Sequence, residues 1–132
     1  MRSFIDTSAF YALLDRDDES HPKAKRVWVD LLSGEDTLIT SNYVLVETFA
    51  LLQHRLGMEA ARGFQGDVLP LVNVEFVNSD IHRSGVSAFL SMSRRNLSLV
   101  DCVSFEMMRT LEIKAVFAFD PHFREQGFDI LP

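Results

Sequence analysis

Short apolar runs alternate along the chain with longer stretches of helical periodicity. Arg2 to Ile5 reads as a strand that stops at Asp6, and Ala9 to Leu14 forms a compact apolar helical stretch closed by the acidic loop Asp15, Asp17, Asp18 and Glu19. A second helix is predicted from about Pro22, with Ala24, Val27, Trp28, Leu31 and Leu32 at helical spacing and Gly34 just past its end. Thr37 to Thr40 is short and β-rich, a second strand. Asn42 to Leu56 is a helix stopped by Gly57. It is apolar almost all round, with Leu45, Phe49, Leu52 and Leu56 on its main stripe and Val44 and Leu51 opposite, a pattern expected of a helix buried on more than one face.

The second half repeats the alternation. A helix over Glu59 to Val68 precedes Pro70, Val72 to Val77 is a third strand, and Ser79 or Asp80 caps a helix that runs to about Arg95. Ser98 caps a further helix through Leu111, and Ala115 to Phe119 is a fourth strand ending in Asp120. The tail, with Phe123, Gly127 and Ile130, predicts a short helical turn and a last strand. The fold class that follows is α/β, a three-layer α/β/α sandwich with a mostly parallel central sheet. In such sheets ligands bind beyond the carboxyl ends of the strands.

A length of 132 residues predicts one domain spanning 1–132, with a core that needs no disulfide or structural metal. The 47% hydrophobic and 24% charged content is that of an ordinary globular protein, which argues against disorder and repeats. Apolar runs fall short of a membrane span and the amino terminus lacks a signal peptide's apolar core, so the expected location is cytoplasmic with no membrane partner. The single Cys102, among Val100, Val103 and Phe105, reads as a small buried hydrophobe. A net charge of −6 argues against nucleic-acid binding through a broad basic surface, and leaves room for local phosphate contacts near Lys23, Lys25, Arg26, Arg94 or Arg95.

Four acids change the picture: Asp6, Glu47, Asp101 and Asp120. Three have a capping explanation, since Asp6 precedes a helix, Asp101 stands three after Ser98 in a capping-box spacing, and Asp120-Pro121 resembles an N-cap with proline at N1. Glu47 has none. It lies inside its helix with Tyr43, Val44, Ala50 and Leu51 as its neighbours one turn away, so no ion-pair partner stands on its own helix. A carboxylate there needs a cation, a hydrogen-bonding partner or open water. If the four meet at the strand ends, they form an all-oxygen pocket suited to Mg²⁺ or Mn²⁺ rather than zinc, with Asp101 at a helix N-terminus. The histidines at 21, 54, 82 and 122 show no metal-ligand spacing, although His122 follows Asp120 by two. Thr7, Ser8, Ser41, Asn42 and Ser104 accompany the acids as caps or as supports for carboxylates and water.

These residues, in this order, resemble the PIN-domain nucleases, and within them the VapC-type toxins of toxin–antitoxin pairs. The matching pieces are Phe4 to Ser8, Thr40 to Thr48, Leu97 to Phe105 and Ala118 to Phe123, with Asp18, His21 and Ala24 similar to the family's loop before its second helix. The Asp120-Pro121 step departs from the charged or polar residue that often follows the fourth acid. The resemblance implies a metal-dependent endoribonuclease, often a homodimer, held inactive by a cognate antitoxin. It carries the catalytic acids onto Asp6, Glu47, Asp101 and Asp120. Asp6 and Asp101 would be the principal metal ligands, and Glu47 and Asp120 would act directly or through water, with Mg²⁺ as the cofactor and Mn²⁺ as substitute. The chemistry implied is hydrolysis of an RNA phosphodiester by water that the metal activates.

Other readings fit less well. An aspartate-nucleophile phosphatase wants a second acid two residues after Asp6, where Ser8 stands, and a phosphoacceptor receiver domain wants a lysine at a late strand end, whereas Lys114 precedes the last long apolar run. A PIN-like RNA-processing nuclease outside a toxin–antitoxin pair, or an idle PIN-like binding module, are the remaining alternatives. Against the idle module, a retired site has no physical reason to keep mutually repelling carboxylates together. The apolar surface of the helix at 42–56, with Phe10, Tyr11 and Trp28, is assigned either to the core or to dimerisation or antitoxin docking.

Overall fold

A computed structural model describes residues 1–132. The chain runs β1 (Arg2–Ile5), α1 (Thr7–Leu14), α2 (His21–Ser33), β2 (Thr37–Ser41), α3 (Asn42–Arg55), α4 (Met58–Gly63), β3 (Asn73–Glu75), α5 (Ser79–Met92), α6 (Leu99–Thr110), β4 (Ala115–Phe117), α7 (His122–Glu125) and β5 (Asp129–Leu131). The five strands form one sheet in the order β3-β2-β1-β4-β5, and every neighbouring pair is parallel. The α/β architecture is therefore as the alternation predicts.

The sheet order decides where a ligand fits. From β1 the chain steps outward through β2 to β3, then returns across β1 to build β4 and β5 on the other side. Right-handed crossovers put the helices of the two excursions on opposite faces, and the loops part at the carboxyl end of β1. In a sheet of this topology that is where a ligand crevice is expected. Beneath it, 27 buried hydrophobic residues form one connected core, with Phe4, Ile5, Val116 and Phe117 in the central strands and Phe10, Phe64, Phe105 and Phe123 packed over them.

Two strands are shorter than their apolar runs predict, and each stops where a side chain captures a backbone N–H. Val77 donates to Asn42 Oδ1 (2.8 Å) rather than extending β3, and Phe119 donates to Ser8 Oγ (2.9 Å) rather than extending β4. The helix expected over Glu59–Val68 begins as α4, widens into a π-helical turn at Phe64–Val68 and tightens into a 3₁₀ turn at Leu69–Leu71. Pro70 sits inside that last turn.

Two further expectations are corrected. The cap of α5 is Asn78, whose Oδ1 accepts from Ile81 N at 2.9 Å, not Ser79 or Asp80, and the helix ends at Met92 because Ser93 turns left-handed with φ 49°. α3 is buried along one line only, Val44, Thr48 and Leu52, while Val46 is 70% exposed. Phe10 belongs wholly to the core, and Tyr11 and Trp28 pack against it half-buried.

α5 and α6 meet most tightly at Gly85. A Cβ there would stand 2.5 Å from Val103 Cγ2 and 3.0 Å from Val103 Cα, so only glycine admits the present separation. Gly85→Ala is expected to push the helices apart and cost about 1–3 kcal/mol of stability, the usual range for overpacking, measured by urea unfolding. An unchanged midpoint would show that the helices yield freely at this crossing.

Candidate active site

β1 ends with its last carbonyl, that of Ile5, accepting from Thr40 Oγ1 at 2.8 Å, and the next amide, Asp6 N, donates to Phe117 O of β4 at 3.1 Å. These bonds fix Asp6 at the mouth of the crevice. Its side chain caps α1: Oδ2 accepts from Ser8 N (3.1 Å) and from Ser8 Oγ (2.6 Å). The other oxygen, Oδ1, is buried and has no hydrogen-bond partner. Burial is the main reason that the Asp6 carboxyl is pushed up to about 7; the Ser8 bonds oppose the shift, and the negative charges of Asp101 and Glu47 add to it.

Asp101 enters from α6. It completes the capping box with Ser98, accepting from Ser98 N while its own N–H donates to Ser98 Oγ, both at 3.1 Å. It is only 7% exposed, and burial followed by the charges of Asp120 and Glu47 raises its carboxyl above the ordinary range despite the Ser98 bonds. Glu47 is half-buried on α3 beside an apolar depression of about 380 Å³ lined by Asn42, Tyr43, Val46, Ala50 and Val100. The charges of Asp6, Asp101 and Glu47 therefore act on one another, and that of Asp120 acts on Asp101.

Asp120 differs from its predicted place. The residue preceding the short α7 is Pro121, and Asp120 instead folds back so that Oδ1 accepts from His122 N at 2.9 Å, with His122 Nδ1 2.7 Å away. The proline supplies a helix-compatible φ of −66°, which moves the start of the helix one residue on and leaves the carboxylate at its edge. Oxygens of Asp101 and Asp120 and a ring nitrogen of His122 lie within 4.8 Å of one another. His122 thus joins Asp101 and Asp120, while Asp6 and Glu47 lie outside this close group; the only advance signal of His122 was its two-residue spacing from Asp120.

The supporting residues have distinct local tasks. Ser8 alone touches an acid, and it links Asp6 to Phe119 N next to Asp120. Ser41 caps α3 through Val44 N (3.1 Å), and Asn42 holds Val77. Thr7 donates to Val44 O (3.4 Å) and accepts from Thr48 Oγ1 (3.2 Å), a buried polar link between α1 and α3. Ser104 Oγ is buried without a partner. Thr48, beside Glu47, ends the Thr40–Thr48 segment and is fully buried. Its clue was a hydroxyl at a position where the helix period demands burial.

The donor set fits a hard divalent cation: oxygens dominate, no thiolate lies among them, and Asp6 Oδ1 is a buried acceptor without a donor. The PIN domain profile matches residues 3–129. The chain belongs to the PIN-domain family. It is 37% identical over 126 residues to the 23S rRNA-specific endonuclease VapC20 of Mycobacterium tuberculosis, covering 95% of this chain and 94% of the relative. The crystal structure of VapC20, described as a sarcin–ricin loop cleaving toxin, superposes with TM-score 0.88 at 34% identity, each chain covered in full. FitAcB of Neisseria gonorrhoeae shares the fold (TM-score 0.70, 13% identity, covering 100% of this chain and 97% of that one). So does VapBC2 of Rickettsia felis (TM-score 0.68, 10% identity, 98% and 97%). No helix of this PIN-domain chain is long and apolar enough to cross a membrane.

A raised carboxyl carries a pH signature. Because the folded state holds the Asp6 proton more tightly than the unfolded chain, that contribution to stability is fully present below the ordinary value of 3.8 and is lost as pH rises from there through about 7. Full ionisation costs on the order of 4 kcal/mol in metal-free protein. Asp6→Asn should match the parent in stability near the low end of this window and exceed it above the high end, read by thermal melts in EDTA. Parallel curves at all pH values would mean that Asp6 is not strained by its charge.

Proposed function

We propose that this chain is a Mg²⁺-dependent endoribonuclease, with Mn²⁺ as substitute, and the toxin of a VapC-type toxin–antitoxin pair. In this reading it cuts 23S rRNA at the sarcin–ricin loop, the target by which VapC20 is known. The observation that carries the reading is the buried, unpartnered Asp6 Oδ1 at a strand end where the charges of Asp101 and Glu47 act on it, in a chain alignable with that endonuclease over 95% of its length. The proposed catalytic acids are Asp6, Glu47, Asp101 and Asp120, with Asp6 and Asp101 as the principal metal ligands.

A bound divalent cation supplies Lewis acidity that favours hydroxide at neutral pH and offsets the charge that builds on a phosphate. The protein's part is positioning. Ser8 and Ser98 each occupy one oxygen of Asp6 and Asp101, which fixes the direction of the other. Asp120, held by His122, and Glu47, free of protein partners, complete the oxygen set and orient the attacking water. A toxin made inside its own host requires a neutralising partner, so a cognate antitoxin belongs to the proposal. A homodimer also does, with the exposed apolar side of α3 around Val46 as available surface.

Asp6→Asn should reduce Mg²⁺-dependent cleavage of a sarcin–ricin RNA hairpin about a hundredfold or more, while circular dichroism stays that of the parent. Glu47→Gln should do the same, and EDTA should abolish parental cleavage. Mapping of RNA 5′ ends after induction would name the cut. Full activity in Asp6→Asn would overturn the metal assignment.

A further inference from the structure

α2 follows the acidic loop Asp17–Glu19, with Ser20 N donating to Asp18 Oδ1, but its own first turn carries a cation. An N-terminal end carries partial positive charge and favours acids. Here the first turn has no acid and Ser20 makes no side-chain cap bond. Instead Lys23, Lys25 and Arg26 crowd the opening turns.

Lys23 lines a cleft of about 240 Å³ together with Ser20, Phe119, Asp120, Pro121 and Arg124. Neither Lys23 nor Arg124 forms an ion pair, and both are exposed. Asp120 is the only acid of the cleft, and its Oδ1 is already taken by His122. On a chain of net charge −6, two cations without counter-charge thus stand directly beside the acid cluster. Lys23 and Pro132 also line a neighbouring depression of about 420 Å³, with Arg26, Val27 and one acid, Asp30.

We propose that this cleft binds an RNA backbone phosphate neighbouring the scissile one, held by Lys23 and Arg124, with Arg26 the next contact along the strand. The proposal rests on the ribonuclease reading above. Arg124 offers a planar fork matched to phosphate oxygens, and Lys23 a mobile point charge. An acidic protein segment would meet the same cations. RNA is favoured because Asp120 lines the cleft, so a backbone bound there passes straight to the acids.

The test compares the parent with Lys23→Ala/Arg124→Ala and with the charge-keeping Lys23→Arg/Arg124→Lys. Binding of a labelled single-stranded RNA oligonucleotide is followed by fluorescence anisotropy in EDTA over a range of salt. Loss of two phosphate contacts should weaken binding on the order of tenfold and flatten the slope of log affinity against log salt by roughly 1.4. With Mg²⁺, KM should rise by a similar factor with kcat within about twofold, and the charge-keeping variant should recover most of the loss. Unchanged affinity and slope in the double alanine variant would overturn the proposal, as would loss of binding to a co-purifying protein with RNA binding intact. If the double variant melts below the parent, Lys23→Gln and Arg124→Gln taken singly decide by the same slopes. A parent that binds the oligonucleotide with these slopes yet cuts no RNA would overturn the proposed function while supporting the phosphate subsite.

Discussion

Burial of a carboxylate at the end of a central parallel strand is the constraint around which the rest is arranged. Asp6 stands where β1 stops between β2 and β4, with its backbone tied to β4 and one oxygen enclosed without a donor. Ionisation there is opposed first by desolvation and then by neighbouring acids. The fold supplies what makes this tolerable: a rigid strand on either side, a serine on the second oxygen, and a sheet whose direction of growth reverses at this strand. A bound cation would remove the remaining strain.

Local and global demands use the same atoms. Asp6 caps α1 and Asp101 closes the box at the start of α6, so each acid that starts a helix also faces the crevice. Ser8 carries this further by bonding Asp6 and the backbone of Phe119 together, which ends β4 and holds the loop with Asp120 against β1. Gly85, where only glycine admits the close crossing of α5 on α6, lets the helix that carries Asp101 pack tightly.

Much of this was legible in the sequence wherever the determining interaction is local. The Ser98-Asp101 box, the start of α1 after Asp6 and the stop at Gly57, which takes φ 95°, depend on neighbours within a turn. The order of β and α elements came from periodicity alone. What was not legible depends on partners far along the chain: β3 and β4 are cut short by Asn42 and Ser8, and the exposure of Val46 depends on what packs elsewhere. The cap of α5 was ambiguous for another reason, because Asn78, Ser79 and Asp80 are all competent caps in succession. In the site, Glu47 stood out as an acid without a local explanation, and the cluster of Lys23, Lys25 and Arg26 was visible as bases, whereas the meeting of Lys23 with Arg124, about a hundred residues on, depends on the fold.

The lengths of the acids follow from how each is tethered. Three positions whose oxygens bond nearby backbone N–H groups carry aspartate, the shorter acid, which reaches its own backbone two or three residues away with little slack. The position with no such bond carries glutamate. Three of the carboxylates are thus anchored like fixed jaws, and the fourth rides on a longer stem from the opposing helix. Any adjustment of the crevice to the changing shape of a reacting group falls to Glu47.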